Sequence, residues 1–451
     1  MKIISKILIF FLLSIILFIS YGTFIGFETK RFNDQIIKKI RNINPNLNLK
    51  LKEIKIILNP LERKLNAKTI GSKLVSGNKS IEIESIKTQI PLSSIFNEKF
   101  LINNLEVSSK SLKIKDLISF IRIFNKDPEL YILNKVIKKG FLIADVKIDF
   151  DEKGKIRNNF VINGLIRDTE IDLFKKYNLK NINFAFSYDH NFLKILDKNL
   201  LLNDLKIYSK SLKIKRVKDE FIINGKIQTK DLNFNDENIK LFIQPYLPLL
   251  EIKQVKLSSN NEFGFKIKKK FQISDFSINS KIQLEEFSFL NNNKFDNFFP
   301  KVNKILRFSN HKLDINYKKD NLVIKGLGDI LLQKNIDQLT YIIKKSGKKY
   351  NFKNSLIINK NSLVLDFLNF EKDQNSQMKI SFNGDSELGK KTKINLISAI
   401  EGENQFEIKN LELNKKFKIS NFSNIRINYL DKKNLINKFN ITSNNGNYLL
   451  K

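Results

Sequence analysis

The residues able to do chemistry are few. His190 and His311 are the sole histidines of the 451-residue chain, and cysteine is absent. Without thiols there is no disulfide scaffold, no thiolate nucleophile and no Cys-based zinc site. Two histidines leave no basis for a His-rich metal centre or a His-centred catalytic network. The run Asp149-Phe150-Asp151-Glu152-Lys153-Gly154 opens like a calcium loop, but Lys153 stands at a ligand position and Phe160 where the bidentate Glu belongs. It reads as a charged hairpin turn. Ser346-Gly347-Lys348-Lys349 lacks both the preceding glycine and the following Ser/Thr of a phosphate loop. Carboxylates are plentiful, yet no pair stands out for acid–base work. His190 reads as a solvated residue of a strand-end loop and His311 as one just ahead of a strand. The chain is therefore expected to be no enzyme and to carry no cofactor or metal.

Charge is the next signal. Lys+Arg number 80 against 46 Asp+Glu, a formal net charge of +34. The lysines are spread along the chain, often at alternate positions such as Lys113, Lys115, Lys213 and Lys215. That is the pattern of a solvated polar face, with an anionic partner as the alternative. The excess of Lys, Asn, Ile and Phe is also what an A/T-rich genome produces. Phe and Tyr interleaved with Lys imitate a platform for single-stranded nucleic acid. Export through a membrane segment argues against nucleic acid.

Such a segment begins the chain. Ile7 to Phe27 contains no charged residue. As a helix it spans roughly 30 Å, the thickness of a bilayer core. Lys2 and Lys6 precede it, and Lys30 and Arg31 follow. Residues 1–28 are expected to be an uncleaved anchor. The competing reading is a signal peptide cut at Ser20-Tyr21-Gly22; Tyr21, and the apolar residues that continue through Phe24, Ile25 and Phe27, weaken it. Within 29–50, Phe32, Ile36, Ile37 and Ile40 recur at helical spacing. Lys30, Arg31, Lys38, Lys39 and Arg41 are candidates to touch anionic headgroups. A short connector helix packed on the first strands is the equal alternative.

From there the chain reads as β-structure. Side chains alternate apolar and polar through Val146, Ile148 and Phe150; through Ile182, Phe184 and Phe186; through Phe263, Phe265 and Ile267; and through Leu313, Ile315 and Tyr317. Phe406 and Ile408, Leu411 and Leu413, Phe417 and Ile419, and Ile425, Ile427 and Tyr429 do the same. Period-2 alternation gives each strand one apolar and one wet face, as in antiparallel sheets covered on one side. Polar turns such as 151–154, 318–321 and 359–362 read as hairpin connections. Helices are expected after an Asp116 N-cap, over 129–139 with Gly140 as its stop, and over 239–243 and 298–306. Residues 103–115 and 203–215 are identical at nine of thirteen positions, which points to duplicated β-units. In this repeat the apolar positions are Leu105, Val107, Leu112 and Ile114, and Leu205, Ile207, Leu212 and Ile214.

These features support a resemblance. The apolar helix, then 81–86, then Pro91-Leu92-Ser93-Ser94-Ile95-Phe96, then 100–107, resembles the start of AsmA-like envelope proteins of the AsmA, TamB and YhdP types. The resemblance implies a long, twisted sheet curled into an apolar groove that carries phospholipid between inner and outer membranes. It implies an inner-membrane anchor with the bulk of the chain in the periplasm, a role in outer-membrane lipid homeostasis, and a protein partner near the C-terminal end.

The expected fold is thus mainly β with a few short helices, residues 51–451 forming an extended repeat groove region behind one transmembrane helix. About twenty-five strands at roughly 4.8 Å each would extend about 120 Å, more than the expected helices could cover. Acyl chains lying on the uncovered face would gain about 0.8 kcal/mol per buried CH₂. The expected lining is Leu105, Val107, Leu112, Ile114, Val146, Ile148, Phe150, Ile182, Phe184, Phe186, Leu205, Ile207, Leu212, Ile214, Phe263, Phe265, Ile267, Leu313 and Ile315. Alternation alone equally allows a dry core of stacked sandwiches. A different function on the same fold is an assembly factor that engages outer-membrane proteins through its sheet edges.

Overall fold

The computed structural model describes residues 2–30, 33–92, 102, 104–151, 157, 159–173, 175–189, 191–268, 272–292, 297–387, 390–415, 418–444 and 447–450. Arg31, Phe32, the turn at 93–96, residues 152–154 of the charged hairpin, His190 and Phe417 lie outside the described residues. The chain is mainly β, with one large antiparallel sheet, a few helices and an apolar N-terminal helix. It divides into two compact units.

The first unit holds residues 1–204 and 211–218. Its first helix, α1 (Lys2–Phe24), is long and apolar enough over Ile3–Phe24 to cross a membrane, a property shared with signal sequences. It turns into β1 (Phe27–Thr29), with Ile25 and Gly26 donating their N–H groups to the Tyr21 carbonyl at 2.9 Å. Helix α2 (Asn33–Ile43) lays Ile36, Ile37 and Ile40 against the buried Leu49, Ile83 and Ile86. That apolar stripe is what makes the segment helical. Strands β2 (Asn48–Lys50), β3 (Ile54–Asn59), β4 (Lys64–Ser76), β5 (Lys79–Pro91), β6 (Asn104–Ser109) and β7 (Leu112–Lys113) follow. After α3 (Ile114–Ile121) and α4 (Pro128–Val136) come β8 (Ile137–Asp149), β9 (Val161–Leu173), β10 (Tyr177–Asp189) and β11 (Phe192–Leu202). Strand β12 (Leu205–Val217) gives its first six residues to the second unit.

Several local expectations change. The helix expected to stop at Gly140 ends at Val136, and Gly140 lies inside β8 at φ +144°. A Cβ there would meet Thr169 Cβ at 2.9 Å and Ile114 Cδ1 at 3.0 Å, so glycine is what lets α3 come down on the strand. Asp116 sits in the first turn of α3 rather than capping it, because the helix starts two residues earlier. Residues 298–306 are not helical: turns surround Pro300, and Ile305 already begins a strand. The duplicated run folds in two ways, as β6, β7 and the start of α3 in one copy and as β12 in the other. The shared Ser-Leu-Lys-Ile-Lys precedes a helical Asp116–Ile121 stretch in one case and a polar turn in the other.

The second unit holds residues 205–210 and 219–451. It contains β13 (Glu220–Asn233), α5 (Asp236–Phe242), β14 (Ile252–Ile267), β15 (Ile273–Leu290), β16 (Ile305–Lys318), β17 (Asn321–Leu331), β18 (Asp337–Ser346) and β19 (Lys349–Ile358). A strap over 359–377 follows, with β20 (Val364–Leu365) and β21 (Phe370–Glu371) joined across a short 3₁₀ turn. The sheet resumes with β22 (Met378–Glu387), β23 (Thr392–Glu401), β24 (Asn404–Leu413), β25 (Ile419–Asn421), β26 (Asn424–Leu430), β27 (Ile436–Asn444) and β28 (Asn447–Leu450). Strands β13 to β19 pair in antiparallel succession, and β19 then pairs with β22. A meander returns alternate connections to the same end. Among the described residues, those within loops 234–251, 291–304, 332–336, 359–377, 402–403 and 431–435 share one end, the long-loop end. Those within turns 268–272, 319–320, 347–348, 388–391 and 414–418 share the other, the tight-turn end.

The buried clusters of this unit lie toward the long-loop end. Ile239 of α5 covers Val255 and Leu284. Leu250, Phe299 and Val302 cover Phe289, Leu306, Ile330 and Leu332. The strap places Leu363 and Phe370 on Ile358, Met378 and Tyr429.

Candidate functional site

Cross-strand pairing aligns the apolar side chains into rows. In the first unit one row runs Ile86–Val107–Val146–Ile162–Tyr188–Leu193 across β5, β6, β8, β9, β10 and β11. Leu105 stands opposite Ile148 beside it. In the second unit Ile315–Ile324–Ile343–Phe352 crosses β16 to β19. Leu356–Ile380–Ala399–Phe406–Ile427–Phe439 continues across β19, β22, β23, β24, β26 and β27. Phe382–Ile397–Ile408–Ile425–Ile441 runs parallel to it.

What covers these rows is uneven. Of the expected lining, Ile182 and Leu205 are buried. Ile114 is buried too, but as the first residue of α3 and packed on Ile118 and Ile137, not on a strand. Leu105, Val107, Leu112, Val146, Ile148, Phe150, Phe184, Phe186, Ile207, Leu212, Ile214, Phe263, Phe265, Ile267, Leu313 and Ile315 are half-buried. On β16 the outward Lys312, Asp314 and Asn316 are exposed between half-buried Leu313, Ile315 and Tyr317. The apolar face is thus closed beneath α5, the 298–302 segment and the strap, and only half-covered toward the tight-turn end. Paired rings line that open part, Phe263 stacked on Phe265 at 6.0 Å and Phe352 edge-on to Phe382 at 6.0 Å.

Beneath the strap lies a cavity of about 770 Å³. Its floor is the pair of rows from β22 to β27, and its roof is Leu363, Leu365, Phe367 and Leu368 with Phe298 and Phe299. Glu407 is the single charged residue among those lining it. A volume of this size and an apolar lining are typical of ligand pockets.

The strap is tied down on both sides. Val364 donates its N–H to the Phe298 carbonyl at 2.9 Å, and Lys432 donates its N–H to the Asn369 carbonyl at 3.0 Å. Tyr429 Oη donates to the Leu368 carbonyl at 2.7 Å. Below, the buried Lys372 ammonium donates to the carbonyls of Asn359, Asp373 and Ser376 at 2.6–2.7 Å. Asp337 accepts from Asn359 N–H at 2.8 Å and from Asn361 Nδ2 at 2.7 Å. Glu401 accepts from Asp373 N–H at 2.8 Å and from the Ser376 hydroxyl. Burial pushes the Lys372 ammonium below the usual lysine range and the Asp337 carboxyl above the usual carboxylate range. This network fixes the strap; it lies apart from the cavity lining.

The expected membrane-surface cations are placed in part. Lys30 pairs with Glu53 at 3.4 Å, and exposed Arg41 donates from Nη2 to Asn48 Oδ1 at 3.2 Å. Lys38 is exposed on α2, and the side chain of Lys39 is outside the described residues.

His311 is not a solvated residue ahead of a strand. It lies within β16, 1% exposed, between the rings of Phe308 and Tyr341 at 5.6 Å each. Among the described residues no three His, Asp or Glu side chains converge as a metal site would require.

The cavity-lining strands β24, β26 and β27 fall outside the expected groove residues. Their alternation was visible in Phe406 and Ile408 and in Ile425 and Ile427, and that signal placed them on strands. The strap that turns the face into a pocket has no periodic signature. No family model, curated protein or solved structure matches this chain.

Proposed function

We propose that the chain is a membrane-anchored, non-enzymatic envelope protein that holds phospholipid acyl chains on the apolar face of its sheet and lets them move along it. The AsmA-like pattern of the sequence points to the same role, with an inner-membrane anchor, a periplasmic body and a contribution to outer-membrane lipid homeostasis. The observation that carries the reading is the half-covered apolar face with a strap-roofed cavity on it. An uncovered row of Ile and Phe in water is unfavourable, and an acyl chain laid on it recovers about 0.8 kcal/mol per CH₂. Movement along the rows requires no bond to break.

The test is photo-crosslinking from single positions in the full chain. Benzoylphenylalanine at Phe265 and Phe352, on the apolar face, is expected to capture phospholipid in cells. The same probe at the exposed Asn351 and Lys353 of β19 is expected to capture none. Equal capture from both faces, or none from either, would falsify the reading.

A further inference from the structure

The two ends of the second unit differ in chemistry. Among the described residues, the six connections of the long-loop end contain eight lysines and eight carboxylates, whereas the five tight turns contain seven lysines and one carboxylate, Asp320. Lysine is about as abundant at one end as at the other, so codon bias does not explain the contrast. Within the connections themselves only the long-loop end is neutralised; at the other end Lys390 and Lys391 pair with Glu387 and Glu412 of the flanking strands. That end also carries the exposed apolar tips: Leu249 is 91% exposed, Tyr246 81%, Phe367 78% and Leu435 60%, with Ile336 and Phe298 exposed beside them. Ile273 and Ile419 are exposed at the opposite end, but beside turns rich in lysine.

Phe298 and Phe367 of these tips also line the cavity. The apolar tips therefore stand where the pocket meets its surroundings. They project from five loops, Tyr246 and Leu249 sharing 234–251, with polar residues between, which does not make the flat continuous patch of a protein interface. Exposed Lys301, Lys334, Lys360 and Lys433 share those loops with the tips. Apolar and aromatic side chains flanked by lysines that reach outward are the composition of an interfacial membrane contact. A loop set of zero net charge meets no electrostatic penalty at a zwitterionic bilayer, and its lysines match lipid phosphates.

We propose that the long-loop end of the second unit inserts its tips into a phospholipid bilayer and that acyl chains enter the cavity from that bilayer. The second clause rests on the lipid-binding reading; the first does not.

The chain has no tryptophan, so one introduced indole reports its own surroundings. Leu249→Trp, Phe367→Trp and, at the tight-turn end, Lys348→Trp are each made in the full chain and reconstituted in phosphatidylcholine vesicles. Brominated phosphatidylcholine is placed either in those vesicles or in a second, added population. Indoles at 249 and 367 are expected to be quenched and blue-shifted in one of the two arms, without anionic lipid and regardless of salt. The indole at 348 is expected to stay in water. Adding Tyr246→Ser with Leu435→Ser is expected to weaken quenching at 367 several-fold. No quenching at 249 and 367 in either arm overturns the docking. Quenching at 348 alone, dependent on anionic lipid and abolished by high salt, overturns it in favour of the lysine turns. Uptake of a fluorescent fatty acid from solution reports on the cavity separately. Uptake without quenching rejects the docking and keeps the lipid reading; quenching without uptake keeps the docking and rejects chain entry.

Discussion

At the scale of single residues, His311 is the most exacting. Its ring lies flat because β17 offers Gly328 beneath it; a Cβ at that glycine would come within 2.5 Å of His311 Cα. Both ring nitrogens are buried, and burial holds the imidazole below its ordinary value of 6.5 against the opposing backbone contact and charge of Asp329. The folded state therefore binds this proton less readily than the unfolded chain. Stability from His311 is full above about pH 6.5 and declines as pH falls toward the lowered native value, because the unfolded state then gains protons first. Asp337 acts in the opposite sense: its raised pKa makes the native state take up a proton earlier on acidification. His311→Phe keeps the ring and removes the titration. The melting temperature of the natural chain is expected to fall more between about pH 7.5 and 5.5 than that of the variant. Equal falls would show that the imidazole carries no such linkage. The sequence hid this residue because Ser309-Asn310-His311 reads as a turn. Asn310, at φ +49°, instead makes a bulge that keeps the strand going and transfers the apolar face from Leu306 and Phe308 to His311, Leu313 and Ile315.

At the scale of elements, the strands were legible and their covers were not. Period-2 alternation on β8, β10, β14 and β16 identified both the strands and their apolar face, since it follows from the pleat alone. The strap has no comparable pattern: Leu363, Leu365, Leu368 and Phe370 are fixed by the buried polar network around Lys372, which joins residues up to 64 positions apart in sequence, such as Asp337 and Glu401. No spacing rule announces such a network. Its weight can be measured. Lys372→Met removes the ammonium donor from the carbonyls of Asn359, Asp373 and Ser376 and leaves Glu401 and Asp337 without a nearby cation. A loss of about 3 kcal/mol is expected from the denaturant midpoint, together with weaker fatty-acid uptake by the cavity the strap roofs. A midpoint within about 0.5 kcal/mol of the natural chain would mean that the strap is held by its apolar contacts alone. Phe370→Ala tests those contacts. Its ring, wholly buried, stands 4.9 Å from Phe406 and 5.8 Å from Tyr429, and its removal is expected to cost about 4 kcal/mol.

At the scale of the whole molecule, the N-terminal helix decides where everything else resides. Length and lack of charge were readable in Ile7 to Phe27, but they suit a signal sequence as well as an anchor. The junction with the folded body favours the anchor. The rings of Phe18 and Tyr21 of α1 pack at a tilt on Phe27 of β1, at 5.4 and 5.3 Å. Gly22 lies so close that a Cβ on it would come 3.1 Å from the Phe27 ring and 3.6 Å from Leu58 Cβ. β1 in turn pairs with β3 along Phe27–Thr29. A signal peptidase needs its site extended and accessible, whereas Ser20-Tyr21-Gly22 is helical and its glycine is buried against the first strands. The chain is therefore expected to keep this helix: it should stay in the membrane pellet through an alkaline wash, and mass spectrometry of the purified protein should detect peptides spanning Ile7 to Phe18. A mature chain that begins at Thr23 and washes off at high pH would make the helix a leader. It would leave the apolar face of the sheet intact but free of the bilayer, and the proposed entry of acyl chains would then depend on the exposed tips of the second unit.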